Sequence, residues 1–545
     1  NAGDDGGKIT AGAGDDTVSA GDGADTIDLG DGNDRVTDSG KGADVITGGA
    51  GNDTVVTAGA GADSIDGGAG NDNLSGGADN DTILGGAGND TLNGDAGNDS
   101  IVGGDGNDTI TDGAGDDVVL GGDGVDTITI SSGNDNVDAG AGNDVITITG
   151  LSNADTITGG DGTDSLTITN SSIGTLTPQF TSIESLVVKT SVSFALNQTD
   201  ATDKTSLKTF TITSTEDTAD SVNLTKIASG STVNISEDLS WDGADAEDTN
   251  DTGNIGEVNI STIDGGTLTL NVHADEDAVT HADTTFASVT DLTGAATITI
   301  NSKNSDSNDI QNSLVALGLD DDETQTLVIN AEDSAGLVVG DVTNAAALES
   351  LTFTSAAGAV STMGTMITAT ALNSLALSST GSASSLTVGA IGGTGTAALE
   401  SLSVSAGGSS STTTGAITST ASTALTSATV TATGANSVVA IGDAINLGSA
   451  TVASFGITVA DNAQLQYKGS SITSGAITAG TLSFGNFSTI TDIGSDADED
   501  LTLTGAVTKL GLSVGRGIVN VAGDSIILSG KVTTLNLTST LGSET

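Results

Sequence analysis

The sequence predicts an all-β protein made of two successive parallel β-coils, a coil of short turns followed by a solenoid of longer rungs. Three observations predict it. A nine-residue repeat rich in Gly and Asp runs through residues 10–168, a longer repeat of alternating β-forming residues follows, and the 545 residues include one Pro, no Cys and 2% aromatic residues. So few aromatic side chains cannot fill a thick globular core, and thin cores of stacked turns are expected instead.

The charge of the chain restricts its partners. Asp and Glu number 73 against 12 Lys and Arg, for a net charge of −61. Nucleic acid and direct membrane insertion are therefore not expected, because an anionic surface is bound by basic residues and no run of about 18 apolar residues is present. The chain begins at Asn1 without a basic and then apolar signal segment, as a processed or truncated piece would.

The short repeat has the form G-G-x-G-x-D-x-φ-x, where φ is aliphatic, as in Gly48 to Val55. An aliphatic residue two positions after each Asp predicts a three-residue strand with one inward side chain, which buries nothing alone but forms a core when rungs stack. Two nonapeptides then make one turn of a flattened parallel coil. Glycines permit the sharp loops, since they adopt backbone dihedral angles that strain other residues.

The Asp that closes each loop is the candidate metal ligand. These residues are Asp16, Asp25, Asp34, Asp44, Asp53, Asp63, Asp72, Asp81, Asp90, Asp99, Asp108, Asp117, Asp126, Asp135, Asp144, Asp155 and Asp164. Loop carbonyls and a carboxylate from one loop are expected to face those of the loop two repeats away. Hard oxygen ligands without His or Cys suit Ca²⁺ better than Mg²⁺, which prefers tighter geometry and more water.

The negative charge of this segment agrees, to order of magnitude, with the positive charge of the calcium ions that it could bind. Residues 1–170 hold 33 Asp, no Glu and three basic residues, which leaves thirty net negative charges. Seventeen aspartates paired two apart predict up to about 15 Ca²⁺ ions, and fifteen divalent ions would carry thirty positive charges. Without the ions, this segment is expected to repel itself and unfold.

These nonapeptides resemble the RTX (repeats-in-toxin) calcium-binding parallel β-roll of proteins exported from Gram-negative bacteria by type I secretion. The resemblance covers residues 10–168. Four loops depart from the pattern: Asp79 replaces the third glycine before Asp81, Asp95 replaces the second glycine before Asp99, and the loops ending at Asp135 and Asp155 are incomplete. The expectation of calcium is weaker at these four loops.

A domain boundary is expected at 170–180, where Pro178 follows the last nonapeptide. We predict a calcium roll over 1–170, a β-rich solenoid with acidic inserts over 171–340, and a regular β-solenoid over 341–545. In the last part φ-x-x-φ pairs recur at intervals of 24 to 28 residues and precede alternating strands. The pairs are Leu348/Leu351, Leu372/Leu375, Leu399/Leu402, Leu425/Ala428, Val452/Phe455, Ala479/Leu482, Val507/Leu510 and Val532/Leu535.

Earlier copies of this pair occur at Ile183/Leu186 and Leu207/Phe210, with looser ones around Val233, Val258 and Leu327. Acidic inserts interrupt the repeat, and we favour solvated loops over further calcium sites or lattice contacts for them. They lie at Glu237 to Asp251, Asp275 to Asp283, Asp320 to Glu323 and Asp496 to Asp500. A short helix is expected over Asp309 to Leu317.

No catalytic cluster is recognisable, so an enzyme is not expected. His273 and His281 are separated by eight residues and are interpreted as surface-loop residues rather than a metal pair. The G-x-S-x-G match at Gly511 to Gly515 falls within a solenoid rung with no His after it, unlike a nucleophile elbow. Tyr467 and Lys468, as acid–base groups of a polysaccharide lyase or epimerase, have no His or Arg nearby.

A calcium roll followed by a solenoid rich in Thr, Ser and Ala, without a catalytic cluster, resembles the RTX-type surface-layer (S-layer) proteins of Gram-negative cells. The resemblance implies an extracellular structural protein that is secreted unfolded, folds on binding Ca²⁺ and self-associates in a two-dimensional lattice on the cell surface. A cell-surface polysaccharide is a further expected partner, through a part outside this sequence. Two alternatives stay open: an RTX adhesin or filament component, and the non-catalytic calcium-binding part of a type I-secreted enzyme.

Overall fold

A computed structural model gives the architecture of the chain. It divides the chain into two compact units, residues 1–215 with 223–231 and residues 216–222 with 232–545. The described residues are 6–37, 40–152, 154–170, 175–176, 179–190, 194–197, 207–214, 220–227, 231–237, 255–274, 285–286, 288–304, 312–319, 324–332, 337–343, 345–356, 358–366, 371–391, 399–418, 425–441, 445–446, 452–467, 471–473, 477–484, 489–492, 501–504, 507–514, 519–520, 526–528 and 532–539.

The prediction of an all-β fold is confirmed, since the described residues contain strands and turns and no helix. They therefore contain no helix that is long and apolar enough to cross a bilayer. The strands of the first unit are β1 (Lys8–Ala13), β2 (Thr17–Val18), β3 (Thr26–Asp31), β4 (Arg35–Val36), β5 (Val45–Ala50), β6 (Thr54–Val55), β7 (Ser64–Ala69), β8 (Asn73–Ala78), β9 (Thr82–Ala87), β10 (Thr91–Ala96), β11 (Ser100–Asp105), β12 (Thr109–Thr111), β13 (Val118–Asp123), β14 (Thr127–Ser132), β15 (Asn136–Ala141), β16 (Val145–Gly150), β17 (Thr156–Asp161), β18 (Ser165–Asn170), β19 (Thr175–Leu176), β20 (Gln179–Thr181), β21 (Ser185–Thr190), β22 (Phe194–Asn197) and β23 (Thr209–Ser214).

Strands β1 to β18 alternate between two parallel sheets. One sheet has the order β1-β3-β5-β7-β9-β11-β13-β15-β17-β20, and the other runs in parallel pairs from β2 through the even-numbered strands to β18 and then to β21 and β23. Ile83 pairs with Ile65 and Ile101, so equivalent residues of every second repeat stack. The predicted flattened coil of two nonapeptides per turn is therefore present.

Most nonapeptide strands are six residues long, twice the predicted length. In β9 the side chain of Ile83 and the first loop glycine, Gly85, both face inward, because the ladder continues into the glycine loop. Leu29, Ile130 and Ile148 carry aliphatic side chains at this second inward position, and all three are fully buried. This second inward position was not anticipated from the nonapeptide pattern.

The second unit contains the longer rungs, and β24 (Asp220–Ile227) contributes residues to both units. Its other strands are β25 (Ser231–Glu237), β26 (Ile255–Ala274), β27 (Thr285–Phe286), β28 (Ser288–Asn304), β29 (Asn312–Leu319), β30 (Thr326–Ala331), β31 (Leu337–Thr343), β32 (Ser350–Ser355), β33 (Val360–Met363), β34 (Ser374–Ser379), β35 (Ser385–Val388), β36 (Ser401–Ala406), β37 (Ser411–Thr414), β38 (Ile417–Thr418), β39 (Leu425–Ala432), β40 (Val438–Ile441), β41 (Ile445–Asn446), β42 (Val452–Val459), β43 (Gln464–Tyr467), β44 (Ser471–Thr473), β45 (Ile477–Phe484), β46 (Thr489–Asp492), β47 (Leu501–Thr504), β48 (Val507–Val514), β49 (Val519–Asn520), β50 (Ile526–Leu528) and β51 (Val532–Ser539).

Three parallel ladders make up the rungs of this solenoid. The main ladder runs β26-β28-β30-β32-β34-β36-β39-β42-β45-β48-β51. A second runs β29-β31-β33-β35-β37-β40-β43-β46-β49, and a third joins β38-β41-β44-β47-β50. The predicted solenoid is therefore confirmed. The division at residues 170 and 340 stays a prediction.

Each φ-x-x-φ pair lies where a strand of the main ladder begins. Leu351 pairs with Leu375 and Leu375 with Leu402, and all three are buried. The pair Ala479/Leu482 was placed wrongly, because Val452 pairs with Ile477, and Ala479 is exposed. Backbone pairing with the rung before it, rather than local spacing, sets the register here.

Two local expectations need correction. The helix predicted over Asp309 to Leu317 is wrong at residues 312–317, which belong to strand β29 and pair with β31 in the second ladder. His273 was interpreted as a loop residue, but it lies in β26 opposite Lys303. His281, Pro178 and the acidic inserts, apart from Glu237 at the end of β25, lie outside the described residues.

Polar side chains contribute to the solenoid's register. Asn271, Asn301 and Asn330 each donate a side-chain amide hydrogen bond to the Asn one rung earlier, at 2.8, 2.8 and 2.9 Å, beginning with Asn234. Inside the coil, the buried hydroxyl of Ser379 bonds to Thr412 at 2.7 Å. Buried small residues with satisfied hydroxyls let a thin core form without large aromatic side chains.

Two glycines of the second unit give a test of rung stacking. A β-carbon on Gly389 would lie 2.7 Å from the carbonyl oxygen of Gly364, whereas on Gly456 its nearest neighbour would be a Thr429 methyl group at 3.8 Å. Gly389→Ala should therefore destabilise the chain by about 1–3 kcal/mol. The matched control, Gly456→Ala, should be neutral or stabilising by about 0.5 kcal/mol. Urea unfolding in excess calcium measures both, and equal effects would contradict the observed stacking.

Candidate metal centres

The predicted ligands lie in two stacked columns inside the nonapeptide coil. Asp16 is half-buried, and the other sixteen predicted aspartates are at most 2% exposed. One column is Asp16, Asp34, Asp53, Asp72, Asp90, Asp108, Asp126, Asp144 and Asp164; the other is Asp25, Asp44, Asp63, Asp81, Asp99, Asp117, Asp135 and Asp155. The alternation of the two sheets places consecutive repeats in opposite columns.

One oxygen of each carboxylate holds the columns together. The backbone N–H of Asp72 donates to Asp90 Oδ1 at 2.7 Å, and that of Asp90 donates to Asp108 Oδ1 at 2.8 Å. The same bond links every neighbouring pair within each column. At the end of the first column Glu184 takes over, since its Oε2 accepts the Asp164 N–H at 2.7 Å. Sequence reasoning missed this role for Glu184, although it follows the last nonapeptide at a similar spacing.

The other carboxylate oxygen is left without a protein partner. Oδ2 is buried and accepts no hydrogen bond in Asp25, Asp34, Asp53, Asp63, Asp72, Asp81, Asp90, Asp99, Asp108, Asp117, Asp126, Asp144 and Asp164. A buried oxygen that carries negative charge and lacks a donor costs several kcal/mol, on the order of the penalties for unpaired buried ions. A bound cation removes that penalty.

Backbone carbonyls face the same oxygens. A β-carbon on Gly85 would lie 2.5 Å from Asp90 Oδ2 and 2.7 Å from the Gly103 carbonyl oxygen of the next turn. On Gly103 it would lie 2.3 Å from Asp108 Oδ2 and 2.4 Å from the Gly121 carbonyl. In a loop that begins with glycine, the first glycine thus keeps open a cradle lined by a carboxylate oxygen and a carbonyl oxygen. This oxygen-only donor set fits calcium.

The later loop glycines are required by stacking and by φ. Gly88 has φ of +136°, and a β-carbon there would lie 1.8 Å from the carbonyl oxygen of Gly70 in the turn below. Asp79 and Asp95 stand at loop glycine positions and also adopt positive φ, 79° and 68°. Asp95 is held by Ser75 Oγ at 2.6 Å and by Asn93 Nδ2 at 2.7 Å. The backbone conformation of these two loops is therefore similar to that of the neighbouring regular loops.

Three of the four irregular loops separate into two kinds. Asp81 and Asp99 are buried and have an unpartnered Oδ2, as in the regular loops. In contrast, Asp155 Oδ2 accepts the Ser152 N–H at 2.7 Å, and its Oδ1 accepts the Ser152 hydroxyl at 2.9 Å. The carboxylate of Asp155 already has protein donors, so its need for a cation is smaller than that of Asp81 or Asp99.

Two further features were missed from the sequence. The residue before the closing Asp, often Asn, caps the next turn: Asn71 Oδ1 accepts the Asn89 N–H, and Asn89 Oδ1 accepts the Asn107 N–H, both at 2.8 Å. The recurring Asn-Asp pair was the available signal. The second feature is Asp112, which is fully buried although it closes no loop. It occupies the first-glycine position of the loop that ends at Asp117.

Burial makes these carboxylates hard to ionise in the absence of a cation. Burial raises the pKa of Asp81 to about 7, and the charges of Asp63 and Asp99 add to the shift. The pKa of Asp72 is raised to about 6 for the same reason, first by burial and then by Asp90 and Asp53. Among the described residues of the coil, one salt bridge is present. It joins Lys41 Nζ to Asp22 Oδ2 at 3.5 Å, and both side chains are exposed.

The columns are therefore chemically suited to hold a row of calcium ions. Asp Oδ2 atoms and loop carbonyls would be the protein ligands, and the ions would supply positive charge where the protein has no base. The designation of individual aspartates as ligands and the count of up to about 15 ions stay predictions.

The family comparison agrees with this chemistry. The family described as RTX calcium-binding nonapeptide repeat (4 copies) matches residues 1–36, 38–59, 57–92, 93–128 and 147–167. RTX calcium-binding nonapeptide repeats are thus present, and such repeats bind Ca²⁺ in a β-roll. Neither the curated proteins nor the solved structures contain a significant match.

The raised pKa values predict an unusual pH dependence for the calcium-free protein. Because the folded-state pKa values of Asp72 and Asp81 lie above the ordinary value of 3.8, the folded roll binds protons more tightly than the unfolded chain. Lowering the pH from about 8 to about 5 without calcium should therefore increase β-structure in far-UV circular dichroism. The control is the same titration in saturating calcium. There the β-structure should already be present at about pH 8, so its increase on acidification should be smaller. A loss of β-structure on acidifying the calcium-free protein would contradict the assignment.

A second prediction concerns coupling along a column. Asp90→Ala removes the acceptor of the Asp72 N–H and one unpartnered Oδ2, so the sites on both sides should weaken together. Calorimetric titration should show the loss of more than one calcium equivalent. The matched control is Asp105→Ala, an exposed loop aspartate, which should change little. Loss of a single equivalent, with all others unaltered, would contradict coupled stacking.

Proposed function

We propose that this chain is an extracellular structural protein that folds on binding Ca²⁺ and assembles into a surface layer on a Gram-negative bacterium. The observation that carries the proposal is the double column of buried carboxylates with unpartnered Oδ2 atoms. With its carboxylates ionised, a fold with this core is stabilised by abundant divalent cations. Proteins with RTX repeats are typically secreted, and the extracellular medium provides such a calcium supply.

Calcium contributes to folding through mass action. An ion that binds only the folded roll stabilises it by RT ln(1 + [Ca²⁺]/Kd), which is about 1 kcal/mol per site or less for extracellular-type affinities and millimolar calcium. Each term is small, but the columns repeat the site many times and share hydrogen bonds between neighbours. The sum is a switch between an unfolded chain at low calcium, suited to export, and a folded roll outside the cell.

An apolar stripe on the outer face of the roll supports self-association. Leu84, Val102 and Leu120 are register neighbours on β9, β11 and β13, and Leu84 and Leu120 are 38% and 42% exposed. Their outward neighbours along the same row are Asp66 below and Asp138 above. Val102 between them is half-buried, so the three side chains form a continuous aliphatic row, and contiguous apolar patches on a protein surface mark contact sites. The stripe fits a second copy of the chain in a lattice.

The proposal assigns no catalytic role to the chain. Gly511, Leu512 and Ser513 of the G-x-S-x-G match lie in β48, with parallel partners in β45 and β51. This extended strand differs from the strand–turn–helix geometry of a nucleophile elbow. A cell-surface polysaccharide, held through a part of the protein outside this sequence, is the proposed anchor.

Electron microscopy of the purified chain tests the proposed assembly. After addition of calcium, the protein should form ordered two-dimensional sheets, and chelation should dissolve them. Single rods would overturn the surface-layer proposal in favour of an adhesin or filament component. Dispersed particles in saturating calcium would overturn it in favour of the calcium-binding part of a secreted enzyme.

The stripe gives this test a variant and a control. Leu84→Thr with Leu120→Thr should abolish sheets without unfolding the roll, because Thr47 and Thr158 occupy the same row. Val45→Thr, which alters an equally exposed aliphatic residue of the same sheet outside that row, should leave the sheets intact. Sheets that persist in the double variant would show that the stripe is not the contact.

A further inference from the structure

Asp112 is an acidic residue in a position that the other described turns fill with glycine or an aliphatic residue. It follows β12 at the second inward position, with Gly94 in the turn before it and Ile130 in the turn after it. Its relative exposure is 0%. The nonapeptide pattern does not require an acid here, because the loop already ends in Asp117.

The geometry directs this extra carboxylate towards the ligand cradle. A β-carbon on the equivalent Gly103 or Gly121 would lie 2.3 or 2.5 Å from Oδ2 of the Asp that closes the same loop. A side chain at the first loop position therefore points at that oxygen. Correspondingly, carboxylate oxygens of Asp112, Asp117 and Asp135 lie within 4.8 Å of one another, and all three side chains are buried.

The hydrogen bonds of Asp112 leave one oxygen available. Oδ1 accepts the backbone N–H of Gly113 at 2.5 Å and that of Ser131 at 2.9 Å. Oδ2 is buried and accepts no hydrogen bond, as is also true of Asp117 Oδ2. The three basic residues of the first 170 positions, Lys8, Arg35 and Lys41, all precede this cluster by at least seventy residues. Three neighbouring buried carboxylates without a base are stable in the ionised form only with a cation among them.

We propose that Asp112, Asp117 and Asp135 form a three-carboxylate calcium site that binds Ca²⁺ about tenfold more tightly than the loops with glycine in the first position and fills before them. The inference rests on the proposed calcium-dependent folding of the roll. An additional carboxylate ligand raises the negative charge of an oxygen site, and charge count is one of the factors that set calcium affinity. The next loop, 130–135, lacks the first two glycines and falls in the stretch 129–146 outside the family match, so the acid strengthens the roll where its pattern is weakest.

Calcium titration of the full chain tests the site. Wild-type protein, titrated with Ca²⁺ in competition with a chromophoric chelator, should bind one equivalent at about tenfold lower free calcium than the remainder. Asp112→Gly restores the glycine found at positions 94 and 121 and should abolish that tight equivalent while the roll still folds in saturating calcium. Asp112→Asn, which keeps the shape and removes the charge, should do the same.

The control is Asp123→Asn, which removes one exposed carboxylate from a neighbouring loop and should leave the tight equivalent unchanged. Loss of the tight equivalent in this control would overturn the assignment in favour of a general charge effect. Its absence in the wild type, or its survival in Asp112→Gly, would also overturn it. If calcium binds in one uniform class, only this inference fails; if calcium does not bind, the proposed function fails as well.

Discussion

The nonapeptide roll depends on two columns of buried carboxylates, most of which have one oxygen without a hydrogen-bond donor. In each column, one oxygen is satisfied by the backbone N–H of the neighbouring loop, and this bond sets the spacing of the turns. The second oxygen points to loop carbonyls, which are also electron-rich. The backbone hydrogen bonds that order the turns therefore bring negative charges together, and a cation bound between the loops makes that arrangement favourable while the carboxylates stay ionised.

The outer surface of the roll depends on the same spacing. Leu84, Val102 and Leu120 are eighteen residues apart and become neighbours only when the turns stack in register. In the proposed calcium-free state, these side chains would be dispersed along an unfolded, self-repelling segment. Folding with calcium would create the aliphatic stripe at the same moment as the core, which links ion binding to assembly in the proposed surface layer. No separate switching element is needed.

Sequence periodicity predicted the roll well because its core and its ligands have the same nine-residue period. The burial of Asp90 and the stacking of Ile83 on Ile65 both follow from that period alone. Asp112 was missed because it lies inside one loop and breaks no spacing. Asp155 differs through hydrogen bonds from Ser152, which depend on local loop geometry. In the solenoid, Ala479 was misplaced because a strand register is fixed by the neighbouring rung, whose loops vary in length.

The dependence of the roll on calcium is tested most directly by amide hydrogen exchange of the full chain, resolved by peptide, with and without calcium. We expect the amides of strands β3 to β17 to be protected in millimolar calcium, to exchange rapidly after chelation, and to regain protection when calcium is restored. The solenoid strands β32 and β34, whose buried polar groups are hydroxyls rather than carboxylates, should keep their protection throughout. Full protection of the roll strands in the absence of calcium would contradict the account.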